Sequence, residues 1–291
     1  MNSAFTEPLR LFAFMCALLM AAQGRAADAA PQPSAGCSAA TLETGRGLQR
    51  HIDVDGTKRA YILDVPDGIQ AKKPVPLLFD FHGFGHSAAG LWNVSGFKAL
   101  AARDGFIVVY PDGLPVHLLG RDAPGWDIFK TEGNRDLAFT VQLLDQLEHT
   151  YCIDQARVFA TGFSNGAYFS YLLACQMASR FAAIAPVSGG QPPGNCNPGR
   201  AVPLLIHHGR QDDLVPIAQA RAARDAWVQR DACRTHVDDG CERYRECRDG
   251  SEVDYCEGDF AHHWPPEATE RIWTFFKAHP MRERVTVISD Q

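Results

Sequence analysis

The chain of 291 residues has no excess of positive charge. Its 28 Lys and Arg stand against 34 Asp and Glu, for a formal net charge of -6 and an isoelectric point near 6.0. No basic face is available to displace counterions from a phosphate backbone, so no nucleic-acid partner is expected. There is no internal repeat, heptad run or low-complexity segment, which excludes solenoid and coiled-coil architectures. There is also no long apolar run. The one apolar stretch near the start, "LFAFMCALLMAA", is too short to span a bilayer as a helix. Arg10 precedes it and the small-residue stretch "QGRAADAAP" follows it, the pattern of a secretory signal peptide cut near Ala26 or Ala27. Residues 1–26 therefore read as a signal peptide, 27–36 as a linker, 37–280 as one domain and 281–291 as a tail. A secreted protein, extracellular or periplasmic, follows, with no stable membrane insertion after cleavage. A monomer is expected.

Cysteine is present, but no CxxC pair is, so neither a structural zinc nor any other metal is expected. Of nine cysteines, Cys16 lies in the apolar run. The other eight are Cys37, Cys152, Cys175, Cys196, Cys233, Cys241, Cys247 and Cys256. An even number in an exported chain reads as disulfides, and the cluster from Cys233 to Cys256 is expected to close on itself.

What is present in abundance is a short, almost wholly apolar run, repeated along the chain. "VPLLFDFHG" (75–83), "FIVVYPDG" (106–113), "RVFATGFS" (157–164), "FAAIAPVSGG" (181–190) and "VPLLIHHG" (202–209) each suit a strand buried on both faces. "EVDYCEG" (252–258) is a weaker last strand, and the runs flanking Asp55-Gly56 read as an opening hairpin. Helical patterns fall between them at 135–150, 166–180, 216–230 and 267–278. In the first, Leu137, Val141, Leu144 and Leu147 are expected on the buried face. The alternation implies an α/β fold, a mostly parallel central sheet with helices on both faces. Residues 114–134 and 231–250 read as irregular insertions. No composition shift marks a second domain, so no large lid domain is expected.

Gly162-Phe163-Ser164-Asn165-Gly166 is a GxSxG sequence between a strand and a helix. At such a turn a serine is held in a strained conformation with its hydroxyl exposed, and the glycines allow strand and helix to approach closely. A serine nucleophile needs a base, and the base needs a carboxylate, in the chain order Ser, Asp, His and each just past a strand. "VPLLIHHGRQDDLVP" offers Asp212 or Asp213, and "VDYCEGDFAHHWPP" offers His262 or His263. Two backbone amides complete an oxyanion hole: that of Asn165, and one from "FHGFGHS" (81–87), assigned to Phe84 with Gly83 or Gly85 as alternatives. Trp126, Trp264 and His82 are expected to line the substrate cleft. A serine hydrolase follows, with a non-catalytic binding protein on the same scaffold as the alternative from another class.

These segments resemble the secreted esterases that include type D-like feruloyl esterases and poly(3-hydroxybutyrate) depolymerase-like proteins. The resemblance spans about residues 37–278. It rests on "FHGFGHS", "YPDG", "GW" at 125–126, "CIDQARVFATGFSNGAYFSYLLAC", "HHGRQDDLVP" and "AHHWP". It implies an α/β-hydrolase fold without a cofactor. By the family's patterns Asp212 is preferred to Asp213 and His262 to His263. The implied substrate is an ester, polysaccharide-linked or polyester. A feruloyl ester of plant cell-wall xylan comes first, and hydroxyalkanoate oligomers or acetyl esters are alternatives. Asp259-Phe260-Ala261 depart from the small residues usual before the histidine, and Phe84 and His86 alter the oxyanion loop.

Overall fold

The structure is a computed structural model and describes residues 29–39, 42–194 and 196–282. The expected signal peptide lies outside these residues, as does the tail beyond residue 282. The chain enters its sheet through the hairpin that Asp55-Gly56 announces. Both residues take left-handed φ, 52° and 75°, the turn that matches strand twist. The hairpin joins β1 (Gly45–Val54) to β2 (Thr57–Val65) in antiparallel register.

The apolar runs form the centre of a ten-stranded sheet. After β3 (Val75–Phe81) come β4 (Ile107–Pro111), β7 (Ile153–Phe163), β8 (Ala183–Val187), β9 (Leu204–Gly209) and β12 (Val253–Gly258). These six lie side by side in the order β4-β3-β7-β8-β9-β12, each pair parallel. The first hairpin borders β4 antiparallel, and β11 (Glu242–Arg245) with β10 (Thr235–Asp238) closes the other edge.

Side chains alternate across each strand, which divides the core in two. Leu77, Phe79 and Phe81 face the same side as Phe139, Leu143, Phe169 and Trp227. That side is covered by α3 (Arg135–Thr150), α4 (Asn165–Gln176) and α5 (Ile217–Arg230). Leu78 faces the other side with Phe97, Phe106, Phe159, Trp273 and Phe276, under α1 (Ala88–Val94), α2 (Phe97–Asp104) and α6 (Pro266–Ala278). Burial of each large side chain contributes about 1.5–3 kcal/mol. No helix among the described residues is long and apolar enough to cross a membrane.

Four expectations need correction. Residues 114–134 are not wholly irregular: β5 (Leu114–Leu118) and β6 (Arg121–Gly125) form a separate antiparallel hairpin. Residues 231–250 likewise hold β10 and β11, whose side chains are mostly exposed or half-buried and so carry no apolar run to read. Of the residues expected on the buried face of α3, Leu144 and Leu147 are buried there beside Phe139 and Leu143, while Leu137 and Val141 pack only at its margin. The segment read as a linker is partly docked, since the Gln32 amide donates to Asp154 and the Ser34 hydroxyl to the Tyr151 carbonyl, 2.8 Å each. The eight cysteines pair as Cys37–Cys152, Cys175–Cys196, Cys233–Cys247 and Cys241–Cys256.

Candidate active site

The site is assembled at the C-terminal ends of β7, β9 and β12, where a parallel sheet presents its loops. Ser164 is the single residue between β7 and α4, at φ 54° and ψ -118°, a conformation side-chain-bearing residues rarely hold. Three bonds keep it there. Its amide donates to the Val187 carbonyl at 3.0 Å, and its carbonyl accepts from the Ala167 and Tyr168 amides at 2.9 and 3.1 Å. The flanking glycines are dictated by space. A Cβ on Gly166 would lie 2.0 Å from the Phe81 carbonyl oxygen, and one on Gly162 would lie 2.5 Å from the Gly166 carbonyl oxygen.

The structure brings Ser164, His262 and Asp212 together. The Ser164 hydroxyl donates to His262 Nε2 over 2.9 Å, and His262 Nδ1–H donates to Asp212 Oδ2 over 2.7 Å. Asp212 is buried, and its other oxygen accepts from the Leu214 and Val215 amides at 3.1 and 2.8 Å. Asp213 and His263, the alternatives, are exposed. The loops carrying Asp212 and His262 are stitched to each other through backbone bonds, Arg210 amide to Gly258 carbonyl and Gln211 amide to Phe260 carbonyl.

His208 is a participant that sequence reasoning missed. It is fully buried, and its Nε2–H donates to the Val215 carbonyl at 2.8 Å while lying 3.5 Å from Asp212 Oδ2. Burial pushes its pKa down, so it serves as a neutral brace for the acid loop. Its signal was the doubled histidine at 207–208, a polar pair closing an apolar strand.

The Asn165 amide is the first of α4, and first-turn amides have no helical acceptor. It therefore points out of the helix beside Ser164. The Phe84 amide also has no acceptor among the described residues. The adjoining turn lies against Ser164, for a Cβ on Gly83 would be 3.3 Å from that of Ser164.

The three residues expected to line the cleft are all buried. Trp126 is 1% exposed and Trp264 8%, and His82 is fully buried. Trp264 packs edge-on against Phe97 and donates to the Thr269 hydroxyl at 3.1 Å. His82 accepts from the Gly113 amide at 2.9 Å and donates through Nδ1 to the Gly83 carbonyl at 2.8 Å. Burial, the dominant cause, lowers its pKa, so it is a neutral organiser of the turn that carries Phe84. Large aromatic area favours core over rim here, because both tryptophans find buried partners for their N–H groups. Among the described residues no group of three or more His, Cys, Asp or Glu could hold a metal ion.

Residues 59–227 match the family described as Esterase PHB depolymerase. The chain is 31% identical over 237 residues to Feruloyl esterase D of Neurospora crassa, covering 77% of this chain and 76% of that one. It is 34% identical over 182 residues to Feruloyl esterase C of Emericella nidulans, covering 60% of this chain and 63% of that one. Among solved structures, an acetyl xylan esterase from Aspergillus awamori superimposes with a TM-score of 0.62 at 16% identity, over 79% of this chain and 100% of that one. This last likeness bears on the fold, which is of the α/β-hydrolase type.

Proposed function

The chain belongs to the Esterase PHB depolymerase family, and from that premise we propose that it is a secreted carboxylic-ester hydrolase with Ser164 as nucleophile, His262 as base and Asp212 as acid. The observation that carries the reading is the pair of hydrogen bonds running from Ser164 through His262 to Asp212, 2.9 and 2.7 Å. In the reaction, His262 Nε2 takes the Ser164 proton as Oγ bonds to the ester carbonyl carbon. The carbonyl π pair moves onto oxygen, which the Asn165 and Phe84 amides stabilise. That pair then re-forms the carbonyl as the bond to the alcohol oxygen breaks, and His262 gives its proton to the departing alcohol. Water attacks the acyl-enzyme by the same route, losing a proton to His262. Collapse returns that proton to Ser164 and releases the acid. Asp212 holds the imidazole with Nδ1–H toward the carboxylate, leaving Nε2 free to accept.

A feruloyl ester on plant polysaccharide is the preferred substrate, on the strength of the two feruloyl esterase relatives. A hydroxyalkanoate polyester oligomer is the second reading, favoured by the family's own description. Release of ferulate from methyl ferulate, set against release of monomer from hydroxybutyrate oligomers, separates the two. The test of the mechanism is Ser164→Ala. Turnover of p-nitrophenyl acetate is expected to fall to background, with the circular dichroism and unfolding midpoint of the parent. Retained turnover would overturn the assignment.

A further inference from the structure

Trp126 follows the last residue of β6, outside the three loops that carry Ser164, Asp212 and His262. Its polar groups nevertheless reach both sides of the oxyanion hole assigned above. On one side its backbone amide donates to Asn165 Oδ1 at 2.7 Å, and its carbonyl accepts from Asn165 Nδ2 at 3.1 Å. On the other its indole Nε1–H donates to the His82 carbonyl at 2.8 Å, two residues before Phe84. A parallel tie runs from the Gly85 amide to the carbonyl of Pro124, 2.7 Å. Asn165 and His82 are buried, so these bonds are shielded from competing water.

Neither residue type is explained by packing or helix capping. The ring of Trp126 sits edge-on to Phe81 and stacked on Phe169, with centroids 5.0 and 5.2 Å away. A phenylalanine would fill such an aromatic cluster. What tryptophan adds is the N–H. Asn165 makes no cap to its own helix; both ends of its carboxamide are spent on Trp126.

We propose that Trp126 is the positioning residue of the oxyanion hole, fixing the separation of the Asn165 and Phe84 amides by holding Asn165 through its backbone and the His82 carbonyl through its indole. This rests on the esterase reading. Donors so fixed need no reorganisation when negative charge develops, and small displacements of such donors are costly in rate. The bridge acts on the transition state and leaves ground-state ester binding alone.

The experiment compares Trp126→Phe and Asn165→Ala with the parent, using p-nitrophenyl acetate as substrate and phenylboronic acid as the tetrahedral probe. Trp126→Phe is expected to lower kcat about tenfold with KM within about twofold, and to raise the boronate inhibition constant by a similar factor. Asn165→Ala is expected to show the same split. The double variant should fall short of the product of the single effects, because both act on one bridge. A lower unfolding midpoint with parental kcat and boronate affinity would mean that Trp126 only packs. A raised KM at unchanged kcat would mean that it touches substrate. Either overturns the proposal. If Trp126→Phe does not fold, the kcat and boronate split in Asn165→Ala decides. A parent that hydrolyses no ester sinks the esterase reading and this inference with it; an active parent whose variants keep its kcat sinks this inference alone.

Discussion

Asp80 is the residue on β3 whose chemistry is least like its surroundings. It is fully buried, and among the described residues neither carboxylate oxygen has a hydrogen-bond partner. Burial pushes its pKa up to about 8, with the nearby Ser95 hydroxyl acting in the opposite direction. Asp80 is therefore a neutral acid at neutral pH, which is how a protein tolerates an unpaired carboxyl in its core. The folded-state pKa lies above the unfolded one. Stability from this group is thus fully present below about pH 4 and declines as pH rises toward 8. By pH 7 the loss reaches about 4 kcal/mol at most. In Asp80→Asn that loss is absent, so the variant's stability relative to the parent should increase with pH. Urea unfolding of both proteins at pH 4.5 and pH 7 measures the change. A difference that does not vary with pH would rule out a buried neutral acid. Nothing in the one-dimensional pattern marked this residue, because "VPLLFDFHG" reads as a strand with or without it.

At the scale of elements, the turn from β7 to α4 is the most constrained junction of the fold. A Cβ on Gly166 would lie 2.0 Å from the Phe81 carbonyl oxygen, against the 3.0 Å that real Cβ atoms essentially never come under. Gly166→Ala is expected to push α4 away from β3, at a cost of about 1–3 kcal/mol. It should also lower kcat for p-nitrophenyl acetate by about a hundredfold, since displacements near 1 Å are enough for that. Thermal unfolding and steady-state kinetics on one preparation check both effects. An alanine variant with parental stability and rate would show that the junction can yield. This element was legible because GxSxG is a local pattern with a local cause. The β5–β6 hairpin was not, because β5 alternates exposed with half-buried positions, β6 is exposed at three of its five, and each contains a proline, Pro115 and Pro124. The sequence places Trp126 at a cleft wall because an aromatic face suits a ring or sugar substrate. Its true partners, Asn165 and His82, lie 39 and 44 residues away along the chain.

At the scale of the whole molecule, disulfides tie the margins to the sheet. Cys37–Cys152 closes a sequence separation of 115 residues, and Cys233–Cys247 one of 14. The chain-entropy view gives about 4.7 kcal/mol for a loop near 100 residues and about 3 kcal/mol for one near 15. Replacing Cys37 and Cys152 together by serine should therefore lower stability by about 1–2 kcal/mol more than replacing Cys233 and Cys247. Urea unfolding of the two double variants at one pH measures this, and the reverse order would mean that native-state packing in the β10–β11 region outweighs loop entropy. The docked segment at residues 32–38 belongs to the same account. Its polar linker-like composition concealed that Gln32 and Ser34 find backbone and carboxylate partners at the start of β7.

The sequence by itself determined the alternation of strands and helices, the parallel centre of the sheet and the chain order of Ser164, Asp212 and His262. Each of these depends on composition within a few residues: apolar runs that must be buried on both faces, and a serine between glycines at a strand end. The choice of Asp212 over Asp213 and of His262 over His263 came from the family resemblance, and in the structure the chosen residue of each pair is the one in reach of its partner. Only the tertiary structure decided the disulfide pairing, the brace that His208 provides, and the burial of Trp126, Trp264 and His82. Those outcomes depend on which distant groups satisfy a buried N–H or carboxylate, and such partnerships exist only once the sheet has brought the loops together.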